Sequence, residues 1–205
     1  MMSKEYFDRV ADKWDDMRQE FFSDKIREKA YCIADLVKGK LAADIGAGTG
    51  YVTDGLTEKG VKVIAVDQSE EMLRQLKSRF GEKVDCRVGD ASALPIENNA
   101  VDYVFANMFL HHVDSPSETI TEMVRILKPG GKLIITDLDE HNFEFLRTEQ
   151  FDRWLGFRRE DIKLWLSHAG LHNVSVDCIG DNCCSMSESG TSQAKISIFI
   201  AYGDK

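Results

Sequence analysis

The stretch best suited to chemistry is Asp44-Ile45-Gly46-Ala47-Gly48-Thr49-Gly50. Glycines at alternate positions let the chain turn tightly and let a ligand approach the backbone, because no Cβ stands in the way. The spacing is GxGxG and lacks the GxGxxG pattern that dinucleotide sites build around a pyrophosphate. Asp44 would repel such an anion, whereas a carboxylate there suits a sulfonium or an ammonium group. The ligand expected at this loop is cationic. Asp67 ends the next apolar run, where a carboxylate accepts hydrogen bonds from both hydroxyls of a ribose. Asp90-Ala91 follows the third run, where an acidic side chain accepts from an adenine amine while Ala and Leu neighbours pack the ring. Asn107-Met108 closes a fourth. An amine, a ribose and an adenine are thus recognised by four loops, provided that one sheet edge carries them all.

The elements that would do so follow from periodicity. Apolar runs at 40–45, 61–66, 84–88, 101–107 and 132–138 read as buried strands, and helical spacing covers 51–59, a segment capped by Ser69, and a segment reaching Leu127. Ser115-Pro116-Ser117-Glu118 has the form of a capping box with Pro at the first helical position. Pro129-Gly130-Gly131 stops that helix. Short connections between alternating strands and helices imply a parallel sheet. Beyond it, 143–156 looks helical, a further helix carries Ile162 to Ala169, and strands at 174–179 and 194–202 flank a long polar loop as an antiparallel hairpin. At the other end, Tyr6, Phe7, Val10, Trp14, Met17 and Phe21, then Phe22, Ile26 and Ile33, mark two helices before the first strand.

At these residues the chain resembles the class I S-adenosylmethionine-dependent methyltransferases, in particular the small-molecule branch that includes quinone-biosynthesis and arsenite enzymes. The resemblance is carried by DIGAGTG at 44–50, AVDQSEEML at 65–73, GDASALP at 89–95, VDYVFANMFLHHV at 101–113 and RILKPGGKLIITD at 125–137. It implies an α/β, Rossmann-like, doubly wound sheet of seven strands in the order 3-2-1-4-5-7-6, with strand 7 antiparallel. It also implies S-adenosylmethionine as cofactor and S-adenosylhomocysteine as product. Asp44, Gly46, Ala47, Gly48 and Gly50 would hold the methionine end, Asp67 the ribose and Asp90 the adenine region. Gln68, Met72, Ala91, Asn107 and Met108 are counted with the same site. A single domain is expected, with a helical lid at 1–38 contributing Tyr6 and Trp14 to the cofactor, and a core at 39–205.

Methyl transfer from a sulfonium is an in-line displacement, so positioning carries most of it and a base is optional. The titratable groups expected at the acceptor side are His111 and His112 after the fourth strand and Asp137 and His141 after the fifth, with His141 and His111 as the base candidates. Asp152, Arg153 and Trp154 are further pocket candidates, in a stretch resembling methyltransferase domains that occur alone or behind a metalloregulator-like domain. Cys178, Cys183 and Cys184 have no paired CxxC and no nearby His, so a structural zinc is not expected. Soft thiolates at that spacing would instead suit arsenite or thiol methylation. Against arsenite, the positions where those enzymes carry cysteines are Ala47, Tyr51 and Met108 here. A non-catalytic cofactor-binding module is the other alternative.

Charge narrows the partners. The chain has 205 residues with 26 basic and 35 acidic side chains, a net charge of −9 that repels nucleic acid and anionic membranes. A small-molecule acceptor is the expected partner, in a monomer or homodimer. Five cysteines, an odd number, argue against a disulfide framework, and no apolar stretch reaches the length of a membrane span, so a cytoplasmic protein is expected.

Overall fold

Five parallel strands form the centre of the molecule because helices, or a loop between the third and fourth runs, return the chain to the same edge. In the computed structural model, which describes residues 3–21 and 23–205, these are Leu41–Ile45 (β1), Lys62–Asp67 (β2), Val84–Val88 (β3), Val101–Asn107 (β4) and Leu127–Leu138 (β5). Two antiparallel strands, His172–Met186 (β6) and Gln193–Asp204 (β7), complete the order β3-β2-β1-β4-β5-β7-β6. The order and the reversed seventh strand are those implied by the resemblance.

Helices Lys25–Ala34 (α3), Tyr51–Glu58 (α4) and Glu70–Phe80 (α5) cover one face, and Pro116–Ile126 (α6) and Arg159–His168 (α8) the other. Side chains alternate along the strands, so Tyr103 and Phe105 enter the first core while Val104 and Ala106 enter the second. Ser69 caps α5 by accepting from Met72 N, with Glu70 and Glu71 in the first turn.

Several local expectations are corrected. The N-terminal segment forms three helices, Ser3–Val10 (α1), Trp14–Phe21 (α2) and α3, because residues 11–13 turn between the first two. Phe22 of the expected stripe lies outside the described residues. Ser115 makes no side-chain cap, and α6 starts on its backbone carbonyl, which accepts from Thr119 N. Pro129-Gly130-Gly131 follows α6 as an irregularity within β5, with Gly130 at φ 79° and its N bonded to Lys205 O at 2.6 Å.

The helix expected over 143–156 shrinks to Phe145–Glu149 (α7). Phe151 adopts a left-handed conformation, φ 61°, and the amides of Arg153 and Trp154 both donate to the His111 carbonyl instead of continuing a helix. Most of the expected polar loop is strand: β6 resumes after a bulge between Cys178 and Asn182 and pairs Cys183–Met186 with β7.

Helix α4 meets α3 at Gly55, where an added Cβ would lie 2.5 Å from the Tyr31 ring. That ring is buried and fixed by its hydroxyl bond to Val52 O at 2.6 Å. Alanine, ordinarily the better helix former, is therefore expected to destabilise here. Gly55→Ala should lower the urea-unfolding free energy by about 1–3 kcal/mol; an unchanged or raised midpoint would contradict this packing.

Candidate functional site

Strand β1 delivers Asp44 and the glycine loop to the carboxyl edge of the sheet. The amides of Gly46 and Ala47 both donate to Val66 O, at 2.9 and 3.1 Å, which locks the loop against β2. Gly46 has φ 68°, and a Cβ there would collide with the Phe109 ring at 2.2 Å. Gly48, φ 54°, would present its Cβ to the Trp14 indole 3.7 Å away. Both positions favour glycine, Gly46 for the neighbouring ring and Gly48 for its left-handed backbone.

Asp44 is buried and its Oδ2 accepts from Thr53 N at 3.0 Å and Thr53 Oγ1 at 2.7 Å. Burial pushes its carboxyl up to about 7, opposed by those two bonds and reinforced by the negative charge of Asp67. Asp67, also raised by burial, accepts from Gly48 N and Ser69 N, each at 2.8 Å. A buried carboxylate, Asp44, and a half-buried one, Asp67, therefore interact at the head of the loop.

Asp44, Gly46, Ala47, Gly48, Asp67, Gln68, Met72, Asn107 and Met108 line one cleft, together with Phe7, Trp14, Tyr51, Phe109 and His112. A contiguous hollow shares Gly46, Asp67, Gln68, Phe109 and His112 with it and adds Asp90, Ala91 and Leu94. Asp90 Oδ1 accepts from Ser92 N and Ser92 Oγ in a tight turn at the hollow's rim, and those bonds lower its pKa. Gly50 lies behind the loop against Phe80 and Leu76. Tyr6 lies outside this cleft, packed on Phe151 at 5.2 Å and facing a separate hollow with Met17, Gln150 and Cys184. Neighbouring side chains on a helix point about 100° apart, so Phe7 takes the cleft side instead.

The lid is anchored by hydrogen bonds: Ser69 Oγ donates to Asp8 Oδ1 and Thr49 Oγ1 to Asp15 Oδ1, both at 2.6 Å. Phe7 stands edge-on to Trp14 at 5.3 Å and to His112 at 5.0 Å, roofing the cleft.

Beyond the cleft lies a buried cluster that the sequence names only in pieces. Asp137, fully buried at the end of β5, accepts from Leu110 N at 2.7 Å through Oδ2 and from His111 Nδ1 at 2.6 Å through Oδ1. His111 Nε2 faces Asp152 Oδ1 at 3.8 Å. Burial opposes the charged imidazole, but Asp137 and Asp152 outweigh it and push His111 up to about 9. Asp152 is raised by burial to about 6 despite His111. His112 is held well below its ordinary value by burial and by His111. His141 falls to about 4 for the same two reasons; its Nδ1 accepts from Phe143 N, and its buried Nε2 has no partner.

The hairpin does not gather the three C-terminal thiols. Cys178 is exposed, and strand alternation turns Cys183 inward and Cys184 towards the other face. Burial pushes Cys183 up to about 12, so it is a thiol at neutral pH. Tyr51 and Phe109 are site residues that sequence reasoning missed, while Phe7 of the expected lid stripe takes the place expected for Tyr6. Phe109 could have been noticed as the bulky neighbour a glycine at 46 must accommodate; Phe7 and Tyr51 are indistinguishable from core aromatics until the helices are packed.

The sheet, the glycine loop after β1 and the acids after β2 and β3 define a Rossmann-like methyltransferase domain. A family model described as a methyltransferase domain matches residues 43–135. A demethylmenaquinone methyltransferase of Renibacterium salmoninarum is 34% identical over 145 residues, covering 69% of this chain and 61% of that protein. The chain thus spans less than two thirds of that relative. Among solved structures, the chain solved with the Haloferax volcanii Trm112 methyltransferase activator superposes with a TM-score of 0.79 at 22% identity, over 97% of this chain and 96% of that one. Haemonchus contortus phosphoethanolamine N-methyltransferase 2, in complex with S-adenosyl-L-methionine, gives 0.72 at 19% identity, over 87% of this chain and 52% of that one. These two likenesses establish the shared fold. Residues 43–135 thus match a methyltransferase domain, and the chain is similar to S-adenosylmethionine-dependent methyltransferases. Among the described residues, no helix is long and apolar enough to cross a membrane.

Asp44 makes stability depend on pH. An unfolded-chain aspartate ionises near pH 4, so between there and about 7 the folded protein keeps a proton that the unfolded chain has released. The contribution is full at low pH and is lost as pH rises through 7. Asp44→Asn cannot titrate, so its urea midpoint relative to wild type should climb between about pH 4 and about pH 8. An offset equal at both ends would contradict the raised pKa.

Proposed function

We propose that this chain binds S-adenosylmethionine in the cleft and transfers its methyl group to a small-molecule acceptor seated beneath α1 and α2. The observation that carries the reading is the pairing of Asp44 with Asp67 in one cleft: a buried and a half-buried carboxylate under an aromatic roof suit a ligand that is cationic at one end and hydroxylated at the other. When bound, the cofactor supplies an electrophilic methyl group. The chain's own part is to orient and to exclude water.

Asp44 and the glycine loop hold the methionine end, Asp67 with Gln68 the ribose, and Asp90 with Ala91 the adenine. Both Asp67 oxygens already bind a backbone amide, which aims their remaining lone pairs at the cleft. Phe7 and Trp14 shut solvent from the sulfonium side. Neither base candidate lines the cleft: His111 is kept protonated by its carboxylates, and His141 is neutral but held too low to be an effective base, so positioning carries the transfer. The menaquinone-forming relative places quinols among the acceptors to try first. The one buried, undissociated cysteine gives the thiol and arsenite alternatives no chelating site.

Calorimetry with S-adenosylhomocysteine and with NAD tests the premise. S-adenosylhomocysteine should bind and NAD should not, and Asp67→Ala should weaken the former roughly 10- to 100-fold, the loss of hydrogen bonds to a charged group. NAD binding without S-adenosylhomocysteine binding overturns the reading. A panel of quinols, phenols, amines, thiols and arsenite that yields no S-adenosylhomocysteine from the methyl donor overturns the enzymatic part and leaves a binding module.

A further inference from the structure

His111 and His112 follow β4 on the turn Leu110–His112, and the segment after α7 folds back on that turn through Arg153 N and Trp154 N, each 3.0 Å from His111 O. This brings Asp152 to the two imidazoles. One ring nitrogen of each histidine and one oxygen of Asp152 lie within 4.8 Å of one another. The 3.8 Å between His111 Nε2 and Asp152 Oδ1 is too long for a hydrogen bond. It is close to the roughly 3.4 Å that separates two nitrogen or oxygen ligands of one tetrahedral ion.

Two further observations point to a ligand. His112 Nδ1 is buried with no hydrogen-bond partner, while the ring bonds the Phe151 backbone. Leaving a buried ring nitrogen unpaired is costly unless something else occupies its lone pair. Asp137 Oδ1 accepts the hydrogen bond of His111 Nδ1–H at 2.6 Å, which fixes the tautomer and leaves Nε2 facing Asp152. A carboxylate behind a histidine in this way is how metal-binding imidazoles are oriented and made more basic.

We propose that His111, His112 and Asp152 bind one divalent transition-metal ion of the zinc and cobalt class. Two neutral imidazoles and a carboxylate are the donors such ions prefer, and three protein ligands leave a coordination position open. The ion replaces the Nε2 proton of His111, so that Asp152 and Asp137 together balance its two charges. His112 also lines the cofactor cleft, so the ion has a route in and its open position lies beside the acceptor space. Resting on the methyl-transfer reading, this narrows the acceptor to a molecule with a ligating oxygen or nitrogen, whose ionisation the ion promotes.

The test is a Co2+ titration of chelator-treated full-length protein, followed by visible absorption and by metal analysis after desalting. One Co2+ per chain with intense d–d bands is expected, and Asp152→Asn and His112→Gln should each weaken it at least about tenfold. Cys183→Ser should leave the spectrum unchanged, and no thiolate charge-transfer band should appear. Absence of stoichiometric binding, or binding unaffected by either ligand substitution, overturns the site. Calorimetry with S-adenosylhomocysteine on Asp152→Asn reports folding separately; should that variant not fold, His112→Gln decides. S-adenosylhomocysteine binding without Co2+ binding removes the metal site alone, and Co2+ binding without S-adenosylhomocysteine binding removes the methyl-transfer reading alone.

Discussion

The carboxylate of Asp137 is the constraint on which the rest of the site depends. It is wholly buried, a costly place for a charge. The cost is offset by convergent donors: the amides of Phe109, Leu110 and His111 on Oδ2, and the Leu138 amide with the His111 ring on Oδ1. Successive amides turned towards one anion bend the chain sharply after β4. That bend lays Phe109 over Gly46, sends His112 into the cleft, and leaves the His111 carbonyl outward to receive Arg153 and Trp154. One interaction between the ends of two adjacent strands thus sets the floor of the cleft and the position of Asp152.

The cleft carries charge as well as shape. The negative charge of Asp67 adds to the cost of ionising the buried Asp44, and the bonds that Asp44 accepts from Thr53 only partly compensate. The fold keeps this arrangement because the loop glycines and β2 fix both backbones. A cationic ligand relieves the repulsion on binding, so part of its affinity is already built into the unliganded protein.

The roof has a different character. Helices α1 and α2 meet the core through aromatic edges, through bonds that Asp8 and Asp15 accept from hydroxyls at the ends of the cofactor loops, and through the Asp15–Arg79 ion pair at 3.5 Å. Those hydroxyls belong to Ser69 and Thr49, which cap a helix and sit in the glycine loop respectively, so lid position and cofactor-loop geometry are coupled through the same two residues. Few bonds of modest strength are what a cover that must admit a ligand requires.

Strand positions, the order of the sheet, the glycine loop and the acids at 44 and 67 were legible in the sequence, because each rests on local period or on a short motif with its own mechanism. Ser69 as a cap and β3 and β4 to their end residues are examples. What the sequence left open involves groups far apart in the chain. The stretch 143–156 carries helical spacing, yet hydrogen bonds to His111 outcompete it, and local propensity is too weak to resist tertiary partners. Cys183 and Cys184 read as loop thiols until pairing with β7 made them alternate faces of a strand. The GxGxG loop and its carboxylates carry the expectation of a cationic nucleoside in the chain itself. The meeting of His111, His112, Asp137 and Asp152 was decided by tertiary structure alone, since a buried anion and its donors choose one another by position in space and leave no period in the chain.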